Sequence, residues 1–225
     1  MTQRTAVILC GGSGRRLGQL GKKIPKSLVK ISQKPIIWFI LKSLKKNRFN
    51  HFILPIGYKG NQIKKYIRQN SEFSNYKIEL IDTGNKTSIA KRIFKIKKFI
   101  KSENFLILNG DSIFDTNLNH IFNIHIKKKY DISFISCEAK ADFGTIGTIN
   151  GKVINFQRNL NFGSVLTDKK HYLGYVYSGM AVINKKILSE KFKDSNNFEK
   201  NFYPKVIKKY KSSIQKLKGF WCAMD

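Results

Sequence analysis

Apolar residues follow two rhythms along the chain. Thr5 to Cys10 (TAVILC) is an unbroken apolar run that stops at Gly11-Gly12, the mark of a strand buried on both faces whose end opens into a loop. From Pro35, the segment PIIWFILKSLKKN carries a proline at the first turn, a broad apolar face and lysines toward its end, which predicts a helix packed on that strand. The alternation then recurs. His51 to Ile56 (HFILPI) predicts a strand, and Asn61 to Gln69 a helix with Ile63, Tyr66 and Ile67 as its apolar positions. Lys77 to Ile81 predicts the next strand, followed by a loop at Asp82-Thr83-Gly84 and a helix from about Ser88 to Lys101. Asn104 to Leu108 (NFLIL) ends in Asn109-Gly110-Asp111. Such alternation predicts an α/β fold with parallel neighbours, whose ligands lie beyond the carboxyl ends of the strands.

The second half changes rhythm. Asp131 to Cys137 and Thr145 to Asn155 read as extended, with Asn150-Gly151 as a tight hairpin turn between two short runs. Val176 to Ile183 is another apolar strand, Phe198 to Lys211 a basic helix and Ser213 to Leu217 a late strand. These are expected to extend the first sheet as a mixed one within a single domain spanning residues 1–225. Internal repeats and long Gly/Ser/Pro linkers are absent, and Lys127-Lys128-Lys129 and Lys208-Lys209 are expected on solvated helix faces. Trp38 is expected in the core. His120 and His125 are expected as helix-surface or capping groups, and the four histidines show no metal-ligand grouping.

Composition narrows the class. With 225 residues and 41% apolar positions, the chain can bury a real core, which excludes disorder as the main state. Its 43 Lys and Arg against 14 Asp and Glu give a net charge of +29, an attraction for anions that does not by itself separate nucleic acid from polyphosphate or an acidic membrane face. Cys10, Cys137 and Cys222 are far apart and odd in number, so neither a disulfide framework nor a zinc site is expected. The apolar stretch Ala6 to Cys10 is too short for a signal peptide, and no segment has membrane-spanning length, so the expectation is a cytoplasmic protein without membrane insertion.

Chemistry concentrates at Gly11-Gly12-Ser13-Gly14-Arg15-Arg16-Leu17, followed by Pro25-Lys26-Ser27-Leu28. Glycines directly after a buried strand let backbone N–H groups approach an anion, and Arg and Lys add charge-assisted bonds to phosphate oxygens. The loop is not a P-loop, because no Gly-Lys-Ser/Thr closes it. Nor is it a dinucleotide fingerprint, because a long basic loop displaces the first helix. Asp111, a carboxylate at a strand tip in a basic chain, suits a hard cation that bridges phosphates.

GGSGRRL with the following PK resembles the signature of the nucleoside-diphosphate-sugar pyrophosphorylases, the sugar-1-phosphate nucleotidyltransferases, and the resemblance extends over essentially the whole chain. Gly57-Tyr58-Lys59-Gly60, Asp82-Thr83-Gly84, Phe143-Gly144 and Gly219 to Asp225 (GFWCAMD) are most similar to the glucose-1-phosphate cytidylyltransferase branch. The resemblance implies a single Rossmann-like nucleotidyltransferase domain with a mixed, mainly parallel sheet flanked by helices. Residues 1–112 would mainly bind nucleotide and residues 113–225 mainly sugar phosphate.

By position, the resemblance implies that Leu9, Gly11, Gly12, Ser13, Gly14 and Arg15, with Thr83 and Gly84, hold a nucleoside triphosphate, CTP in the first instance. Arg16 would grip the departing pyrophosphate and Lys26 the reacting phosphates. Asp111 and Asp225 would hold Mg²⁺. Gly110, Gly144, Arg158, Ser178 and Gly179 would line the place of a sugar 1-phosphate. The implied reaction transfers a nucleoside monophosphate to that sugar phosphate and releases pyrophosphate, and a homo-oligomer is compatible with the family.

Departures from the family pattern fall mostly in the acceptor half. Phe156-Gln157-Arg158-Asn159-Leu160 stands where the family has Phe-x-Glu-Lys-Pro, so an acidic residue near the sugar and a lysine on its phosphate are both missing; Arg158 would serve the phosphate from a shifted position. Tyr177-Ser178-Gly179 replaces Asn-Gly-Gly, and Arg15 stands where the family has Thr. Relatives also continue beyond the GFWCAMD motif, so the chain reads as a minimal or truncated member whose final side-chain and terminal carboxylates lie where Mg²⁺ should bind. Guanylyl or thymidylyl transfer to a heptose or hexose 1-phosphate, or to a different phosphorylated acceptor, remains an open alternative. Two other classes stay beside it: a basic nucleic-acid-binding protein, although no specific nucleic-acid motif is present, and an inactive scaffold.

Overall fold

The computed structural model describes residues 3–12, 14, 18–137, 145–149, 152–157, 164–167, 170–173, 175–189 and 198–224. In chain order the elements are β1 (Thr5–Leu9), α1 (Gly18–Lys23), β2 (Lys30–Ile31), β3 (Lys34–Pro35), α2 (Ile36–Lys46), β4 (His51–Ile56), α3 (Gly60–Gln69), β5 (Lys77–Asp82), α4 (Ile89–Ile96), β6 (Asn104–Asn109), β7 (Ser112–Asp115) and α5 (Leu118–Lys127). Then follow β8 (Ile132–Cys137), β9 (Thr145–Ile149), β10 (Lys152–Gln157), β11 (Ser164–Thr167), β12 (Lys170–Leu173), β13 (Val176–Asn184), α6 (Tyr203–Lys209), β14 (Ser212–Lys216) and β15 (Phe220–Ala223).

Seven strands form the central sheet in the order β14-β8-β13-β6-β1-β4-β5. β6, β1, β4 and β5 run parallel, β14 runs parallel to β8, and β13 is antiparallel to both of its neighbours. The fold is thus the mixed, mainly parallel α/β domain that the sequence predicts. Because residues alternate across a strand, β1 sends Ala6 and Ile8 to one face and Val7 to the other. The first face packs against α2, α3 and α5 through residues such as Ile40, Leu41, Ile63 and Phe122. The second packs against α4 and α6 through Ile93, Ile96, Phe202 and Val206. Burial on both sides explains why the parallel strands read as continuous apolar runs. In α2, Pro35 sits extended before the first turn, Lys45 and Lys46 occupy the last, and Ile36, Ile37, Ile40, Leu41 and Leu44 are buried, each worth about 1.5–3 kcal/mol of transfer free energy.

Several expectations are corrected. Strands β9 and β10 do pair antiparallel, but as a separate two-stranded sheet rather than a continuation of the central one. A second such pair, β11 with β12, has no counterpart in the hydropathy pattern. The predicted helix over 198–211 splits into a π-type turn, Phe198–Phe202, and α6, with Pro204 in the first turn of the latter, where its missing N–H is harmless. Likewise α4 stops at Ile96 and tightens into a 3₁₀ turn, Lys97–Phe99. Trp38 is only half-buried, since its Nε1 donates to Glu72 and the Lys34 and Lys42 ammoniums lie over its ring. His125 is fully buried, not on the surface. Its ring bonds Ser133 Oγ through Nδ1 and Asn104 Oδ1 through Nε2, and burial holds its pKa down at about 4.

Candidate functional site

The carboxyl ends of β1, β4, β5 and β6 meet at one edge of the sheet, where the segments with Gly11, Gly57, Gly84 and Gly110 emerge. Lys26 opens a 3₁₀ turn after the extended Pro25, and Asp111 follows β6 by two residues. Their side chains converge, with Lys26 Nζ 3.0 Å from Asp111 Oδ2, and both are partly shielded from water. An ammonium and a carboxylate so paired can exchange partners readily when phosphates and a cation arrive. Gly110 is obligatory beside them, because a Cβ there would stand 2.8 Å from both Cys10 Sγ and the Leu9 carbonyl oxygen. The Cys10 thiol is fully desolvated and pushed up to about 12, so it is no nucleophile.

Above this pair the loop begins with Gly11, buried, and Gly12, exposed with open space on its Cβ side. Gly14 adopts φ +61°, a left-handed conformation suited to glycine, and lies over the stem of Lys26. Ser13, Arg15 and Arg16, like Gly144, Arg158 and Asp225, lie outside the described residues.

A residue that sequence reasoning passed over organises the ends of β1, β4 and β5. Arg92 of α4 is only 4% exposed. Its guanidinium donates to the carbonyl of Gly11 (2.6 Å), to the carbonyl of Ile56 (3.2 Å) and to Thr83 Oγ1. One fork therefore ties the ends of β1, β4 and β5 together. Gly11 and Gly57 must be glycine for the same reason, since a Cβ would meet Arg92 Nη1 at 2.2 Å and 2.6 Å. Burial draws the Arg92 pKa down, and the Asp82 carboxylate opposes that shift. Thr83 completes the knot. Its hydroxyl donates to the Ile56 carbonyl (2.7 Å), and its own carbonyl accepts from Lys95 Nζ (2.8 Å) and Thr87 Oγ1 (2.6 Å). Gly84, at φ +93°, donates its N–H to Asp82 Oδ1 in a side-chain turn. A signal was present in the sequence: Arg92 falls three residues after Ile89 and four before Ile96, on the apolar stripe of its helix.

The other side of the mouth is shaped by a bulge at the start of β13. Tyr177 pairs with Ser136 and Met180 with Ile135, so Ser178 and Gly179 are extra residues in the ladder. Ser178 Oγ donates to the Ile135 carbonyl (2.7 Å), and the Ser178 carbonyl accepts from Trp221 Nε1 (3.0 Å). At φ +78°, Gly179 faces the Asn109 side chain so closely that a Cβ would stand 2.5 Å from Asn109 Nδ2. β15 pairs with β7 directly after Asp111, and the Met224 N–H donates to the Asp111 carbonyl (2.9 Å). Residues 220–224 are thereby brought beside Asp111.

The structure thus gathers Leu9, Gly11, Gly12, Gly14, Lys26, Thr83, Gly84, Gly110, Asp111, Ser178 and Gly179 along one edge. Among the described residues no group of three or more His, Cys, Asp or Glu side chains is placed to hold a metal. One carboxylate suits a Mg²⁺ ion that takes most of its other oxygens from substrate phosphates and water.

A family model described as nucleotidyl transferase matches residues 5–222. Over 98% of its length the chain is 31% identical to a probable glucose-1-phosphate cytidylyltransferase of Bacillus subtilis, of which 91% is covered. Over 89% of its length it is 32% identical to a D-glycero-alpha-D-manno-heptose 1-phosphate guanylyltransferase of Aneurinibacillus thermoaerophilus, with 86% of that protein covered. Among solved structures, HddC from Yersinia pseudotuberculosis superposes with a TM-score of 0.73 at 22% identity, covering 98% of this chain and 93% of that one, a likeness of fold.

Proposed function

Because the chain belongs to the nucleotidyl transferase family and is an enzyme of the sugar-phosphate nucleotidyltransferase type, we propose that it transfers CMP from CTP to a sugar 1-phosphate. The observation that carries this reading is the Lys26–Asp111 pair at the carboxyl ends of β1 and β6, beneath an open glycine loop. The cytidine preference follows the relative named as a probable glucose-1-phosphate cytidylyltransferase.

In the proposed reaction a phosphate oxygen of the sugar 1-phosphate attacks the α-phosphorus of CTP in line. The bond from that phosphorus to the bridging oxygen breaks, and its electron pair leaves with pyrophosphate. The attacking oxygen is already ionised, so no general base is needed, and the protein's contribution is orientation and charge neutralisation. Lys26 releases Asp111 and turns its ammonium to the α-phosphate, where negative charge builds. Loop N–H groups from Gly11 to Gly14 hold the triphosphate, and Arg15 and Arg16 add charge-assisted bonds, Arg16 to the pyrophosphate. Thr83 and Gly84 border the base. Gly110, Gly144, Ser178, Gly179 and Arg158 border the acceptor. Asp111, joined by Asp225, would hold Mg²⁺, which would supply positive charge to neutralise the phosphates. A cytoplasmic location is part of the same proposal.

A guanylyl version has its own support in the heptose 1-phosphate guanylyltransferase relative. The deciding experiment measures pyrophosphate release with Mg²⁺, each of CTP, GTP, UTP and dTTP, and a panel of sugar 1-phosphates. Release with CTP is expected. Silence with every pair would sink the enzyme reading, and release only with another nucleotide would sink its cytidine form.

A further inference from the structure

Aromatic rings fix the segment that follows residue 197. Phe198 and Phe202 stack at 4.5 Å between centroids, Phe198 meets Tyr203 at 4.9 Å, and Tyr203 meets Phe134 and Tyr177 edge-on at 4.9 and 5.7 Å. All three of Phe198, Phe202 and Tyr203 are buried. Glu199, Lys200 and Asn201 of this turn are exposed on a locked backbone, and Glu199 is its carboxylate.

Its position is unusual in three respects. It borders a narrow crevice shared with Leu9, Asn109, Gly179 and Tyr177, immediately inside the site. It also borders an open cavity of about 510 Å³ over the starts of β13 and β14 and the later part of β8, where it is the sole carboxylate among the described lining residues. And in a chain with 43 Lys and Arg, no cation among the described residues pairs with it. Tyr177 and Tyr203 stand between the two spaces with hydroxyls 3.1 Å apart. Only one proton fits between those oxygens, so the second hydroxyl keeps a proton to donate. Burial first, and then the charge of Glu199, push both phenols up, while the mutual contact raises Tyr177 and opposes the shift of Tyr203; both remain proton donors.

We propose that Glu199 reads the acceptor: its carboxylate accepts hydrogen bonds from ring hydroxyls of the sugar 1-phosphate, with the Tyr177–Tyr203 pair as the wall behind the ring. A carboxylate can accept from two vicinal hydroxyls, and the cavity is of the size that receives a monosaccharide. Glu199 would then supply, from a different element, the acidic group missing from Phe156–Leu160. The inference rests on the sugar 1-phosphate reading above.

The test uses the full chain with the nucleotide and acceptor that the wild type turns over. Glu199→Gln keeps the shape and Glu199→Ala removes the group. The acceptor KM is expected to rise about ten- to a hundredfold in Glu199→Ala, with the nucleotide KM within twofold of wild type and the melting temperature unchanged. Glu199→Gln should fall between. An acceptor lacking the read hydroxyl should lose the same factor with wild type and nothing further with Glu199→Ala. An unchanged acceptor KM, or an equal rise in both KM values, overturns the inference while the wild-type turnover leaves the parent reading intact. If the wild type turns over no pair at all, both fall together.

Discussion

The two sides of the site are built by opposite means. On the side proposed for the nucleotide, the Gly11 and Ile56 carbonyls and the Thr83 hydroxyl are drawn onto one buried guanidinium, so that backbone groups are what the packing fixes. On the side proposed for the acceptor, the bulge at Ser178-Gly179 is held by Trp221 and Ile135, and the crevice beside it is lined by side chains such as Tyr177, Tyr203, Glu199 and Asn109. Backbone groups change little with sequence, whereas side chains can be exchanged singly. On the proposed reading, a site of this design keeps its phosphate chemistry while its acceptor changes, and the departure from the family pattern at 177–179 lies on the acceptor side.

Substitutions can test that contrast, beginning with the largest effect. Lys26→Ala should lower turnover a hundred- to a thousandfold, the scale of losing one group aimed at developing charge, without a change in melting temperature; pyrophosphate release and thermal unfolding check both halves. Arg92→Ala should destabilise by about 2–4 kcal/mol, because it strands the Gly11 carbonyl and opens a cavity. Urea unfolding would measure this, and Arg92→Lys should recover only part, since a point charge cannot span three oxygens. The nucleotide KM should rise in both while the acceptor KM holds.

A third test lies away from the site. His125 is ordinarily protonated near 6.5 when unfolded and only near 4 in the fold, so the unfolded chain binds the extra proton between those values. Stability should be whole above about pH 6.5 and fall by on the order of 2 kcal/mol as pH drops toward 4. His125→Gln should flatten that slope in urea titrations at pH 7 and 4.5. The smallest effect is expected for Trp221→Phe, which loses one indole bond to Ser178, about 1 kcal/mol. It should disturb the acceptor KM more than the nucleotide KM.

What could be read beforehand follows the same physics. β4 runs over His51–Ile56 as predicted, and β6 and β8 differ from prediction by a single residue, because strands buried on both faces are continuous apolar runs. β11 and β12, with SVLT and KHYL, carry no such run. β7 and β15 were illegible for another reason: their pairing joins segments roughly a hundred residues apart, and local pattern contains nothing of that. Lys26 and Asp111 stood out because charged groups beside glycines at strand ends are conspicuous. Arg92 and Glu199 did not, since each looked like one more charge on a helix, and only packing shows that the first is buried and the second faces a cavity.

The β15–β7 ladder also has a kinetic meaning. Contacts between distant segments form after local ones, since the loop between them must close first. Leu9 and Asp111 can be in place on a largely folded sheet before residues 220–224 arrive to pair with β7 and Asp111. The Met224 amide, bonded to the Asp111 carbonyl, is then a clock for the site. Its hydrogen-exchange rate reports how often the finished catalytic edge unzips while the seven strands beneath it stay closed.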